Sequence, residues 1–319
     1  MMSDTPAPTA LLTISPSPFW HCGRTIRKNN LYFLAALMPA AIMAVWNWGL
    51  PAARVMALCV GTSILTEALC QKCMKRSLRI DNLSAAVSGL LLAFLLPAAS
   101  PWWLVMLGAF TAIALGKMAF GGLGGNPLST PLVGWAVLFV SFPLFMDANA
   151  MQLATPYADP LLRLKFFGVS QAAAIPLEDL LLGRQINGLG AGQIAPLFLG
   201  GMFLTACGVI RWQTVLGFFL GVGVPAAFLH VMAPAMNASP LFHLCTGSVM
   251  LGGFFLATEA GNSPTRPLPM FLYGILAGCL TMLIRKYGSY ADAVPFAILL
   301  ANLLTPYFDM IRPKPFGVR

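Results

Sequence analysis

The sequence predicts an all-α, polytopic membrane protein with about ten transmembrane helices in two inverted five-helix repeats. Three observations carry this. Apolar segments of about 20 residues, the length a helix needs to cross a hydrocarbon core, recur from Leu31 to Met310. Hydrophobic residues make up 58% of the 319 and charged residues only 9%, against about 25% charged in soluble domains. One long polar loop divides the segments into two sets of five, and an odd number per set turns the second half upside down.

In order, the first half (31–146) is expected to hold spans at 31–50, 53–71, 83–98, 101–120 and 130–146. The second closes at a basic stretch, 72–79; the third follows Asp81-Asn82; the fourth starts at Pro101 and ends in glycines; the fifth stops at Asp147. A loop at 147–194 follows. The second half (195–310) is expected at 195–211, 214–232, 240–258, 267–284 and 291–310. Residues 1–30 lack the apolar core and cleavage site of a signal peptide and read as a cytoplasmic tail, as do 311–319. With both termini inside, thirteen of the 19 Lys and Arg residues fall on the cytoplasmic side, in line with the positive-inside rule. Arg285 and Lys286 run against it, in an outer connection. The net charge of +9 reflects those basic cytoplasmic loops and does not point to nucleic acid.

Little chemistry is spelled out. The cysteines fall mostly in apolar segments, Cys70-x-x-Cys73 has no second pair, and the three histidines are scattered. No nucleophile–base set or metal motif appears. Three places stand out. Gly121-Gly-Leu-Gly-Gly-Asn126-Pro127, after Lys117, cannot hold a helix. Gly121, Gly122 and Gly124 can let a flat ligand approach the backbone, with Lys117 and Asn126 as donors; the plainer reading is a turn whose lysine snorkels to headgroups. Glu67 and Glu259, near span ends, are candidates for an ion path, against a plainer reading as interfacial carboxylates paired with a basic neighbour. The outer loop carries Thr155, followed by Pro156. The halves also echo each other: Gly89-Leu-Leu-Leu-Ala-Phe-Leu-Leu resembles Gly252-Gly-Phe-Phe-Leu-Ala-Thr-Glu259, and the glycine turn 121–127 resembles Gly261-Asn-Ser-Pro-Thr-Arg-Pro267.

The order and spacing of Leu65-Thr-Glu-Ala-Leu-Cys-Gln-Lys72, Asp81 through Pro97, Pro101-Trp-Trp103, Gly116 through Asn126, Phe254 through Glu259 and Ala301-Asn-Leu-Leu-Thr-Pro306 resemble one family. It is that of the D subunit of the Rnf-type electron transport complex and, more distantly, the B subunit of the sodium-translocating NADH:quinone oxidoreductase. Ile14 through Gly23 resembles that family's start. The resemblance implies a bacterial inner-membrane subunit, not catalytic alone. With its partner subunits, which carry flavin and iron–sulfur centres, it would couple electron transfer to Na⁺ or H⁺ transport. It also implies FMN joined through its phosphate to a threonine in a motif of the form Asp-x-x-Ser-Gly-Ala-Thr. The matching stretch here is Asn149 through Thr155, so Thr155 is the implied acceptor. A second, non-covalent flavin (riboflavin or FMN) is a further implication. The alternatives are an inverted-repeat solute carrier or channel without redox function, and a flavin-less structural subunit of the complex.

Overall fold

The computed structural model describes residues 24–76, 78–147, 159–170, 175–234 and 236–311. Among them the secondary structure is helical, without strands. The main helices are α1 (Ile26–Trp48), α2 (Leu50–Cys73), α3 (Ser84–Leu95), α4 (Trp102–Ile113, running into a π turn at Ala114–Met118) and α5 (Thr130–Ser141). The second half holds α6 (Ile194–Ala206), α7 (Trp212–Met232), α8 (Val249–Leu251, running into a π turn at Gly252–Leu256), α9 (Pro267–Tyr287) and α10 (Val294–Asp309). Four of these, α1, α2, α7 and α9, are long and apolar enough to cross a membrane; α3 to α6 and α10 are shorter apolar helices.

Every expected segment contains helix, with instructive differences at the edges. α1 begins at Ile26 instead of residue 31, because the Thr25 hydroxyl accepts the Lys28 amide at 3.2 Å and caps a polar first turn. The fifth segment breaks at Phe142 before a single turn, Pro143–Met146. The eighth, expected as one span over 240–258, is broken. Helix Pro240–Leu244 stops, Cys245–Ser248 is non-helical with Gly247 at φ 69°, and α8 follows. α3 is only 12 residues long, about 18 Å at helical rise, and too short to cross a bilayer alone.

Loops that the span count assigns to one side do meet. At the N-terminal end of α1, Arg24 donates to the Gly208 carbonyl (2.8 Å), Arg76 to the Gly121 carbonyl (2.7 Å), and the Thr265 amide to Asp309 (3.0 Å). At the opposite end Asn47 donates to the Leu182 carbonyl (3.1 Å), Arg54 to the Ser100 carbonyl (2.9 Å), and Lys165 to the Gly288 carbonyl.

Packing rests on small residues, since lipid offers no hydrophobic drive between helices. A Cβ on Gly217 or Gly221 of α7 would stand 2.4 Å from the Phe271 or Ile275 carbonyl oxygen of α9; Gly274 and Gly278 face back in the same way. The two GxxxG pairs therefore bring α7 and α9 into backbone contact. At Gly200 of α6 a Cβ would lie 2.1 Å from the Ala36 oxygen of α1, which joins the two halves. Large side chains such as Trp46, Val140, Phe228 and Val231 point outward, as a lipid-facing surface requires.

The long loop is not all surface. Residues 188–193 are largely buried, and the Leu189, Gly190 and Ala191 amides donate to the Leu96 and Phe94 carbonyls at 2.8–3.2 Å. That satisfies the end of the short α3, where neither lipid nor a further helical turn can. Nothing in the hydropathy of this polar, glycine-rich stretch marks it as interior.

Candidate functional site

The last turn of α4 widens into the π turn that contains Lys117, a local irregularity of the kind found at functional sites. Lys117 is 3% exposed and does not snorkel. Its ammonium donates to Glu67 of α2 at 2.7 Å and to the Ser84 hydroxyl, at the start of α3, at 2.6 Å. Glu67, 2% exposed, also accepts from Gln71 at 3.2 Å, and the Gln71 oxygen accepts the Arg79 amide at 2.8 Å. The Ser84 hydroxyl donates to Asn82 at 2.9 Å, and Asn30 of α1 donates to the Asn82 carbonyl at 2.6 Å. Three helices and the connection between two of them thus converge on one buried ion pair. Glu67 is not at the water interface; it is paired with a base, inside the protein.

Glu259 lies just past α8. The Ser129 hydroxyl donates to it at 2.6 Å, and no Lys or Arg forms an ion pair with it among the described residues. Asn262 donates to the Glu259 carbonyl (3.1 Å) and accepts from the Ser129 amide (2.6 Å) and the Asn302 side chain (3.1 Å). Asn302 in turn accepts the Tyr273 hydroxyl at 2.5 Å, and Thr305 donates to the Asn262 carbonyl at 2.9 Å. This second network reaches from Glu259 through α9 and α10.

Between the two networks lies a cavity of about 240 Å³, whose polar wall includes Asn30, Ser84, Lys117, Asn126, Thr130 and Glu259. Phe33 and Phe255 supply apolar surface, and Gly124 lines it too. Lys117, Gly124, Asn126 and Glu259 are therefore gathered at one place, and Glu67 stands directly behind Lys117. Gly121 and Gly122 lie in the same turn, at φ 100° and 106°, outside the cavity wall; Gly121 instead offers its carbonyl to Arg76. Left-handed backbone of this kind favours glycine strongly. Thr155 lies outside the described residues. Asn30 and Ser84, which complete the wall, carry no signal in the sequence beyond their polarity.

The glycine turn and the 261–267 segment, paired in the sequence as possible repeat counterparts, sit side by side. A Cβ on Gly261 would come within 2.5 Å of the Asn126 side chain. The two segments thus converge on one cavity, which Asn126 and Gly261 both line.

At the other end a larger cavity, about 420 Å³, is lined by Trp135, Phe139 and Tyr290 and by Asp147, Asp159 and Asp292. The ring pairs Trp135–Phe139 and Phe139–Tyr290 have centroids 4.9 and 4.8 Å apart. Arg285 is buried close by and donates to the His243 and Thr246 carbonyls at 2.8 Å each, satisfying the break before α8. Among the described residues no cluster of His, Cys, Asp and Glu could hold a metal ion.

Comparison with known proteins covers nearly the whole chain. The profile of the NQR2, RnfD, RnfE family matches residues 13–317. The D subunit of the ion-translocating oxidoreductase complex of Yersinia pestis is 33% identical over 345 residues, covering 96% of this chain and 98% of that protein. The D subunit of the Na(+)-translocating ferredoxin:NAD(+) oxidoreductase complex of Acetobacterium woodii is 33% identical over 313 residues, covering 96% of each. The D subunit of the Klebsiella pneumoniae ion-translocating oxidoreductase complex is 32% identical, covering 96% of this chain and 99% of that protein.

Proposed function

The chain belongs to the NQR2, RnfD, RnfE family, and on that premise we propose that it is the D subunit of an ion-translocating oxidoreductase complex, coupling electron transfer to Na⁺ or H⁺ movement with a bound flavin. The observation that carries this reading is the buried Glu67–Lys117 pair beside a cavity that Glu259 also faces. Charged groups inside a membrane domain are costly, and they mark ion or proton routes more often than scaffolding.

The ten-helix, two-repeat reading draws support from matching neighbours. α2 packs on α4 and α4 on α5; α7 packs on α9 and α9 on α10. The third helix of each half is incomplete, α3 by shortness and α8 by its break. Discontinuous helices at the meeting of repeats are where transporters place their sites. Most described Lys and Arg residues outside the spans stand at the N-terminal end, which favours a cytoplasmic position for both termini in a bacterial inner membrane.

The cavity wall suits a flavin ring chemically. It offers donors from Asn30, Lys117 and Asn126, an acceptor at Glu259 and two aromatic side chains. A bound flavin would supply one- and two-electron redox chemistry, and the chain would supply placement and charge. Lys117, held between Glu67 and Ser84, presents an amine donor at the wall. Glu259 sets a carboxylate where a cation entering from the N-terminal end would meet it. Covalent FMN at Thr155 belongs to the same proposal. Asp147 and Asp159, which border the segment carrying Thr155, both line the aromatic cavity, and that favours a ring resting there.

The test is flavin fluorescence of the denatured chain in a gel, compared between the parent protein and Thr155→Ala, together with electron flow through the purified complex with and without this chain. Bound flavin with flow that depends on the chain supports the proposal. A colourless chain that takes up a solute on its own points to a carrier. An active, flavin-free chain within the complex points to a structural subunit.

A further inference from the structure

Arg285 and Lys286 are the basic residues that contradict the orientation rule, and the structure gives them company. They stand in the last turn of α9, where two cations suit the helix dipole. The dipole does not explain why Lys165, from the separate short helix Pro160–Phe167, and His243, from Pro240–Leu244, face the same space. These four line a cavity of about 180 Å³, closed on its other sides by Asn237 and by apolar groups such as Met236.

The donors outnumber their acceptors. Lys286 donates to the Asn237 side chain at 2.5 Å; Lys165 donates to the Gly288 and Tyr290 carbonyls. Neither ammonium forms an ion pair among the described residues. Arg285 is 3.7 Å from one Asp292 oxygen, whose other oxygen accepts the Ser248 amide at 2.9 Å, and Asp159 is a second carboxylate beside it. Arg285 and His243 are each 7% exposed, and Arg285 Nε and His243 Nδ1 have no hydrogen-bond partner. Arg285 is buried, Lys165 half-buried and Lys286 exposed at the mouth, so three cations face a space that also holds two buried nitrogens without partners, and an anion entering it would answer both. Met236 at the rim is 77% exposed, on the same end of α7 as Val231 and Met232, which point outward.

We propose that this cavity is an anion site for a phosphate group, held by Lys165, Arg285 and Lys286 between the end of α9, the Pro240–Leu244 helix and the Pro160–Phe167 helix. Two lysine ammonium groups and the unpartnered Nε–H of Arg285 around one space suit the oxygens of a phosphodiester or phosphomonoester. The apolar rim opens toward lipid, so the headgroup of an anionic phospholipid is one source; free phosphate is the other. This site is separate from the cavity at Lys117 and does not rest on flavin binding.

The full chain, purified with its complex and stripped of lipid, is titrated with phosphatidylglycerol or phosphatidylcholine under native mass spectrometry, and with inorganic phosphate in thermal unfolding. The expected result is retention of phosphatidylglycerol over phosphatidylcholine. Binding falls by about tenfold or more in Lys286→Gln and in Lys165→Gln. Lys286→Arg, which keeps the charge, should retain it and shows that loss in the Gln variant is not misfolding. A thermal shift with inorganic phosphate in the parent chain, absent in the Gln variants and without lipid preference, assigns the site to a soluble phosphate. Equal lipid binding by parent and Gln variants, with no phosphate-dependent shift in the parent, overturns the proposal.

Discussion

Glu67 and Lys117, fifty residues apart in the chain, meet at 2.7 Å with both side chains almost fully buried. A pair of this kind costs desolvation on both sides, and breaking it by removing one partner leaves a charge stranded. Lys117→Met should therefore destabilise the protein by about 3–5 kcal/mol, because Glu67 is left buried without its partner. The double variant Glu67→Gln, Lys117→Met should recover much of that loss. Thermal unfolding of the two single variants and the double in detergent gives the coupling directly. Additive effects would mean that the two groups do not share their charge as described.

The Asn302 side chain accepts the hydroxyl of the fully buried Tyr273. Asn302→Leu should lower stability by about 1–3 kcal/mol, the penalty for an orphaned buried hydroxyl. Adding Tyr273→Phe removes the orphan and should restore part of the loss. A double variant no better than Asn302→Leu alone would place the damage elsewhere in the Glu259 network.

The α7–α9 contact depends on missing side chains. Gly221→Leu should cost about 1–3 kcal/mol or prevent accumulation, because the new side chain has no room beside Ile275. Gly223, on the same helix, has nothing within 4 Å of its position for a Cβ, so Gly223→Ala should be neutral or mildly stabilising. Yield and unfolding midpoint in detergent distinguish the two positions; equal tolerance would argue against close backbone packing.

Cofactor attachment predicts a mass. The peptide covering residues 147–165 should carry an increment equal to FMN less water, lost in Thr155→Ala. An unmodified peptide from an active complex would remove the covalent part of the proposal and leave the cavity reading standing.

Hydropathy made most of the architecture legible, because each segment of bilayer length contains a helix and the loops segregate to two ends. It missed what depends on contacts between distant residues. The break at Cys245–Ser248 sits in an apolar run and is stabilised by Arg285, about forty residues away, whose contrary charge was visible but whose partners were not. The buried stretch before α6 reads as polar loop because its backbone, not its side chains, meets the end of α3. Lys117, Glu67, Glu259 and Asn126 stood out singly as expensive or unusual residues for a membrane segment. Their assembly around one cavity came from the crossing of α2, α4 and the end of α8. A snorkelling lysine and a ligand donor are equal expectations from the sequence, and Glu67 is what rules out the first.

Coupling is tested most directly in proteoliposomes containing the complete complex, with electron flow and the uptake of Na⁺ and H⁺ recorded together for the parent and for Glu67→Gln. Glu67→Gln keeps the size and a hydrogen-bonding side chain but removes the charge that Lys117 answers. The expected result is continued electron flow with the ion gradient reduced about tenfold or more, a loss of roughly 1.4 kcal/mol or greater at the coupling step. An undiminished gradient in Glu67→Gln, at unchanged electron flow, would contradict a role for this buried pair in moving the ion.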